Sequence, residues 1–175
     1  MKNQVLYSSK INPDNNETGK KDSVKRIADA LATGAGIVAN YIGNYSRINE
    51  TQVLLIGCDV ANGKINTSTH KNLIRVLNDA TSESVKTVVV YSVMTKGDKS
   101  ARDQIAAICE PKGITVAEEV FSCKGATLFG NKGCPTDQDV ADAKAFGLEM
   151  VTKYRDETKG IASVAATRYR DMELT

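Results

Sequence analysis

The chain has 175 residues, of which 41% are hydrophobic and 25% are charged, and this balance is typical of a soluble globular protein with a single core. Its formal net charge of +2 is too small to direct it to nucleic acid, so we expect no nucleic-acid partner. No apolar stretch is long enough to span a membrane or to form the core of a signal peptide, so the sequence predicts a cytoplasmic protein without membrane contact.

The four cysteines disfavour two kinds of site. Cys58, Cys109, Cys123 and Cys134 are widely spaced, include no C-x-x-C pair, and have a single histidine in the chain to assist them. A structural zinc site needs four such ligands at short spacings, and a core of this size needs no disulfide. We therefore predict no metal site, and four small side chains that are buried or half-buried.

Strand and helix patterns alternate along the chain. Apolar segments bounded by polar residues or glycine predict strands at 5–7, 37–42, 52–57, 85–93 and 114–121. Apolar residues at helical spacing predict a helix that begins near Ser23 and is closed by Gly34 and Gly36, and two more at 100–109 and 137–154. A further helix is predicted after a cap at Thr67 or Ser68, with an apolar face that extends to Leu77. The stretch VKTVVVYSV at 85–93 is continuously apolar and β-branched, as expected of a central parallel strand that is buried on both faces.

This alternation predicts βαβ units and therefore one α/β domain, with a parallel sheet and helices on both faces. We expect the domain to span residues 1–155, followed by a tail at 156–175 that is either a short docked helix or a frayed end. In such sheets, ligands bind beyond the carboxyl ends of the strands, where the strand order reverses. The loops that qualify are residues 8–22, 57–66 and 92–99.

Two segments of the chain resemble flavodoxins. VLYSSK at 5–10 and TGKKDSVKRIADALA at 18–32 are similar to the family's opening strand, phosphate loop and first helix. FSCKGATLFGNKGCPTDQDVADAKAFGLEMV at 121–151 is similar to the last strand, turn and helix of short flavodoxin-like proteins. The resemblance covers about residues 4–154 and implies a three-layer sandwich with a five-stranded parallel sheet of order 2-1-3-4-5, in which FMN lies between the first and third strands.

The resemblance assigns the FMN phosphate to the loop after the first strand. A helix N-terminus favours a phosphate because its unpaired N–H groups and its dipole point at the anion. Ser8, Ser9 and Lys10 occupy positions that bind the phosphate in the family. Residues 11–17 then intervene before the Thr-Gly pair that the family pattern has at this place.

Three interpretations of this long loop remain open. In the first, Thr18 and Gly19 are a displaced phosphate-binding pair, and residues 11–17 bulge outwards. In the second, Ser23 supplies the missing hydroxyl and the Thr-Gly pair lies in solvent. In the third, the loop is a turn-rich insertion without a ligand, because Asn, Asp and Pro favour turns for backbone reasons alone.

The resemblance places the flavin ring between the second and third loops. Residues 57–66 contain no aromatic residue, and residues 91–100 contain only Tyr91, which strand alternation turns towards the core. Without an aromatic to stack on, the ring would lie on Val60, Val93, Met94 or backbone, with three glycines that permit close approach. Asp59 would accept from the flavin or cap a turn. The residues assigned to FMN in these loops are Gly57, Cys58, Asp59, Gly63, Ser92, Val93, Met94 and Gly97.

Two functions follow from these observations. In one, the protein binds FMN non-covalently and transfers electrons to a redox partner protein. In the other, it is a flavodoxin-fold binding or interaction module that has lost flavin binding. Flavodoxins that carry electrons are typically acidic, which directs them to basic partners, whereas this chain has a sequence pI near 8.3.

Overall fold

The computed structural model describes residues 1–9, 22–94, 96–126 and 130–155. The predictions for Lys10, Thr18 and Gly19 and for the tail at 156–175 lie outside the described residues. The strands are β1 Lys2–Tyr7, β2 Ala39–Tyr41, β3 Thr51–Ala61, β4 Lys64–Ile65, β5 Val85–Val93 and β6 Thr115–Cys123. The helices are α1 Ser23–Ala35, α2 Thr67–Leu77, α3 Ser100–Cys109 and α4 Asp137–Lys153, with short 3-10 turns at Ile42–Asn44 and Glu110–Lys112.

Five parallel strands form the sheet in the order β2-β1-β3-β5-β6. The short strand β4 pairs antiparallel with the end of β3 and is not one of the five parallel strands. Counted without β4, the order is 2-1-3-4-5, as predicted. The strand order reverses between β1 and β3. The loops that follow these two strands therefore meet at the point where ligands of open α/β sheets bind.

Helices cover both faces of the sheet. In β3 and β5, Leu54 and Val90 face the cluster that contains residues of α2 and α3. Their neighbours Leu55 and Val89 face the cluster that contains residues of α1 and α4. Since β5 is buried on both faces, the prediction made from VKTVVVYSV is confirmed. No helix within the described ranges combines the length and the apolar character that crossing a membrane requires.

Two predicted boundaries are wrong at the sheet. The predicted strand at 37–42 is reduced to β2, because the chain turns into a 3-10 helix at Ile42. The predicted loop at 57–66 is a β-hairpin, because β3 continues to Ala61 and returns as β4. Asn62 and Gly63 both have positive φ, 53° and 72°, as a two-residue type I′ turn requires.

The contact between α1 and α4 depends on two glycines. A β-carbon at Gly34 would lie 1.8 Å from the carbonyl oxygen of Lys144, and one at Gly147 would lie 2.2 Å from that of Leu31. Each glycine thus lets the backbone of the other helix approach. This reciprocal contact fixes α4 against α1, on the same side of the sheet.

Candidate functional site

The carboxyl ends of the parallel strands meet at one edge of the sheet, which we call the carboxyl edge. It comprises the ends of β1, β5 and β6, the β3–β4 hairpin, and the segments that lead into α1, α3 and α4. Every residue that the resemblance assigns to FMN and that the structure describes lies at or directly below this edge. The described residues include no group of His, Cys, Asp and Glu that could hold a metal ion.

Ser8 follows β1 directly and is 1% exposed. Its N–H donates to the carbonyl oxygen of Gly57 over 2.9 Å, which extends the pairing of β1 with β3. Its hydroxyl donates to Oγ1 of Thr69 in the first turn of α2 over 3.0 Å. Ser8, which was predicted to bind the phosphate, is therefore hydrogen-bonded to both the sheet and α2. The neighbouring Ser9 is half-buried.

Asp22 caps the N-terminus of α1. Its Oδ1 accepts from the N–H of Val24 over 3.0 Å and from that of Lys25 over 3.2 Å. These are N–H groups of the kind that a bound phosphate would use, and the carboxylate supplies the negative charge that a helix N-terminus favours. The oxygen of Ser23 accepts from the N–H of Ala126 over 3.2 Å, so it is also engaged.

A cleft of about 190 Å³ lies beside this helix end. Its lining residues are Asp22, Ser23, Arg26, Ala126, Gly133, Cys134 and Pro135. The guanidinium of Arg26 donates to the carbonyl oxygen of Pro135 and, over 3.0 Å, to Oδ1 of Asp137. The arginine therefore joins α1 to the segment before α4. The Asp22 carboxylate also lines the cleft and would repel a phosphate there.

Gly57 makes room for a side chain of the protein itself. A β-carbon at this position would lie 2.0 Å from the ring of Tyr91, which is fully buried, as its position in the strand predicts. The hydroxyl of Tyr91 donates to the carbonyl oxygen of Leu6 over 2.7 Å, so the ring crosses β3 to reach β1. Burial raises the pKa of Tyr91 well above its ordinary value, and the hydroxyl keeps its proton for this bond.

The next two residues of β3 lie in the sheet and not in a loop. Cys58 is fully buried, and burial raises the pKa of its thiol to about 12, with a smaller contribution from the charge of Asp59. At neutral pH the thiol is protonated and is no nucleophile. Asp59 lies within β3, opposite Val93 of β5, and not after the end of the strand as predicted. Gly63 lies at the tip of the hairpin, where the turn itself requires its positive φ.

The third loop begins below the surface. Ser92 and Val93 are both buried, and the Ser92 hydroxyl has no hydrogen-bond partner among the described residues. Met94 is half-buried, has a φ of 123°, and donates its N–H to the carbonyl oxygen of Cys123 over 3.0 Å. Gly97 is exposed, but its N–H donates to Oγ of Ser122 over 2.7 Å.

The described residues do not fit FMN in the manner that the resemblance implies. The helix N–H groups are bonded to Asp22, the Ser8 hydroxyl is bonded to Thr69, and the space beside Gly57 holds Tyr91. Sequence reasoning missed Asp22. An aspartate next to the first residue of an amphipathic helix is the usual signal of an N-cap, whereas the phosphate-loop pattern points to the hydroxyl residues.

The comparisons with known proteins concern the fold. No family model and no curated protein matches the sequence. An archaeal flavodoxin superposes with a TM-score of 0.61 and 14% identity, over 89% of this chain and 100% of its own. Oxidised flavodoxin 1 from Bacillus cereus gives 0.57 and 15%, over 86% and 97% of the two chains. A flavodoxin, WrbA-like protein from Agrobacterium tumefaciens gives 0.56 and 12%, over 89% and 98%. The chain therefore has the flavodoxin-like fold.

Proposed function

We propose that this protein is a flavodoxin-fold binding or interaction module and that it binds no FMN phosphate at the N-terminus of α1. The observation that supports this proposal is the cap formed by Asp22, whose carboxylate accepts from two N–H groups of the first turn. A phosphate bound there would need the same donors. The carboxylate and the phosphate therefore exclude each other.

Two costs oppose a ligand phosphate at this helix end. Displacing the cap costs about 1 kcal/mol, as for other N-cap residues. The displaced carboxylate and the phosphate would then repel each other within the cleft of about 190 Å³ beside the helix. The described cation of that cleft, Arg26, is engaged by Pro135 and Asp137 and does not compensate for this repulsion.

A second candidate function is an FMN-binding electron carrier with a redox partner protein. Met94 favours it, because a non-glycine residue with a φ of 123° at the end of a central strand is a costly conformation of the kind found at ligand sites. When bound, FMN would supply the redox chemistry. Met94 and Gly97 would then lie beside the ring, and the Asp22 side chain would leave its cap.

FMN titration separates the two functions. We expect the purified protein to be colourless and to leave the fluorescence of FMN unquenched at micromolar concentrations. Yellow protein, or quenching that saturates at micromolar concentration, would refute the proposal and support the electron carrier.

A pair of variants tests the role of Asp22. Asp22→Ser retains a capping oxygen without the charge, and we expect it to bind inorganic phosphate more tightly than the wild type does. The matched control is Asp29→Ser, which removes an exposed carboxylate of the same helix that pairs with Lys25 and leaves the cap intact. Equal phosphate affinity in all three proteins would show that Asp22 is not what excludes the anion.

A further inference from the structure

Exposed lysines surround the carboxyl edge. Lys96 and Lys99 lie between β5 and α3, Lys124 follows β6, Lys132 precedes α4, and Lys64 lies next to the hairpin turn. All five side chains are exposed, and none forms an ion pair with another described residue. We call these five residues the lysine rim.

Hydrogen bonds bring the segments that carry the lysine rim together. The bond from the N–H of Gly97 to Ser122 draws the turn with Lys96 and Lys99 to the end of β6. Gln104 of α3 accepts from the N–H of Ile65 over 3.2 Å and donates to the carbonyl oxygen of Gly63 over 3.1 Å. These two bonds fasten the hairpin to the helix that begins beside Lys99.

The loop after β6 completes the rim on the side of α1. Ala126, two positions after Lys124, donates its N–H to Ser23 at the start of α1. The segment that carries Lys132 lines the same cleft through Gly133 and Cys134. Hydrogen bonds therefore link the described segments that carry the lysine rim, from the hairpin, past α3 and β6, to the start of α1.

The aspartates of the same edge are engaged within the protein. Asp98 accepts from the N–H of Ser100 over 2.8 Å, and Asp139 accepts from that of Thr136 over 2.8 Å in a capping box. Within the described residues, the other carboxylates of this edge are Asp22, which caps α1, Asp103 and Asp137, which are exposed and pair with Arg102 and Arg26, and Asp59, which is half-buried in β3. A carboxylate at a helix N-terminus is offset by the partial positive charge of the helix end. Among the described residues, this edge thus carries five exposed lysines and two exposed aspartates, each of which pairs with an arginine.

We infer that the lysine rim is a docking surface for a partner protein that presents a cluster of carboxylates. This inference rests on the proposed function of the chain as an interaction module. Complementary charge of this kind accelerates association and selects the partner, and both effects weaken as salt increases. The typical acidic flavodoxin would present the opposite charge to its partner.

Two observations favour an acidic protein over nucleic acid. The capping aspartates lie between the lysines, so a continuous phosphate backbone would meet them, whereas separate carboxylates of a protein need not. In addition, every aromatic side chain within the described residues is buried or half-buried, so the described part of this edge offers no exposed ring on which bases could stack.

Two triple variants test the inference. The rim variant carries Lys96→Glu, Lys99→Glu and Lys124→Glu, and the control carries Lys2→Glu, Lys86→Glu and Lys144→Glu, which are exposed lysines outside the carboxyl edge. Both variants have the same net charge. Their binding to fluorescent poly-L-glutamate is measured by anisotropy, with duplex DNA and phosphatidylserine-containing vesicles as competing probes. Far-ultraviolet circular dichroism and unfolding midpoints verify that both variants are folded.

We expect the wild type to bind poly-L-glutamate more tightly than DNA or vesicles, with an affinity that decreases as salt is added. The rim variant should lose about tenfold in affinity and the control less than about twofold, since only the rim faces the polyanion. Equal losses in the two variants, tighter binding of DNA or vesicles, or no binding of poly-L-glutamate would each overturn the inference.

The same preparations are titrated with FMN, so that the two proposals fail separately. Binding of FMN together with a rim-specific loss would refute the proposed function and leave the docking surface intact. If FMN does not bind and the two variants lose affinity equally, the docking surface is refuted and the proposed function is left intact.

Discussion

At both Gly57 and Gly147, another part of the chain occupies the space that a β-carbon would need. The two positions differ in whether that space is filled by a side chain or by backbone. At Gly147 it is the carbonyl oxygen of Leu31, which belongs to the backbone of α1. At Gly57 it is the ring of Tyr91, a side chain that crosses β3 at the carboxyl edge. The first contact holds two helices together. The second fills the space beside a glycine that the resemblance assigns to FMN with a core side chain.

The difference separates a contact with backbone from a contact with a single side chain. The contact of α1 with α4 is a property of the architecture. The contacts of Tyr91 with Gly57 and of Asp22 with α1 are made by single side chains, so they can be removed one at a time.

Gly147→Ala should have the largest effect, because the added methyl group meets backbone that moves only if α1 and α4 separate. We expect a loss of about 3 kcal/mol in the free energy of unfolding, measured by urea denaturation. In an unobstructed helix the same change would stabilise by about 1 kcal/mol, so the sign is informative. Ala145→Ser on the exposed face of α4 is the control, and a stable Gly147→Ala protein would contradict the close contact.

Gly57→Ala should cost about 2 kcal/mol, because the new methyl group displaces a ring that is fully buried. In a Tyr91→Leu background, which lacks the ring, we expect the same change to cost less than about 1 kcal/mol. The double-mutant cycle is measured by urea denaturation of the four proteins. No equivalent rescue exists for Gly147, whose neighbour is backbone. Additive effects at Gly57 and Tyr91 would show that the ring is not the obstacle.

Tyr91→Phe should cost about 1 kcal/mol, less than either glycine substitution, because it removes one buried hydrogen bond without changing the packing of the ring. The measurement is again the free energy of unfolding. Tyr7→Phe, on β1, shows what the loss of a different tyrosine hydroxyl costs. An unchanged free energy in Tyr91→Phe would mean that the bond to the Leu6 carbonyl contributes nothing.

The sequence predicted those features that depend on local pattern. The burial of β5 on both faces and the inward direction of Tyr91 follow from the apolar run and from strand alternation, and the structure confirms them. The sheet order follows from the alternation of elements together with the family resemblance. Asn-Gly at 62–63 is a strong hairpin signal, but the prediction of a loop at 57–66 does not use it.

The remaining features depend on register between distant segments. The bond from Tyr91 to Leu6 joins residues 85 positions apart, and it exists because β3 has a glycine exactly where the ring crosses. The bond from Ser8 to Thr69 likewise joins the end of β1 to α2. A single sequence shows that these residues lie near the right edge of the sheet, but not which of them contact each other.

Glu119→Gln should have the smallest effect and the clearest dependence on pH. Glu119 of β6 accepts from Lys153 and, over 2.6 Å, from the hydroxyl of Tyr154, so it fastens the end of α4 to the sheet by side chains alone. The hydrogen bonds from Lys153 and Tyr154 hold its pKa at about 2, below its ordinary value of 4.5. Because the Lys153 side chain is 51% exposed and solvent screens its charge, we expect a contribution of less than about 1 kcal/mol.

A carboxylate whose pKa is lower in the folded state stabilises the protein above its unfolded pKa and loses that effect as the pH falls through its folded pKa. The difference in free energy of unfolding between wild type and Glu119→Gln should therefore be constant from neutral pH to about 4.5 and should shrink towards zero near pH 2. Glu149→Gln, on the exposed side of α4, is the control. A difference that persists near pH 2 would mean that Glu119 acts through packing, as the two glycine contacts do, and not through its charge.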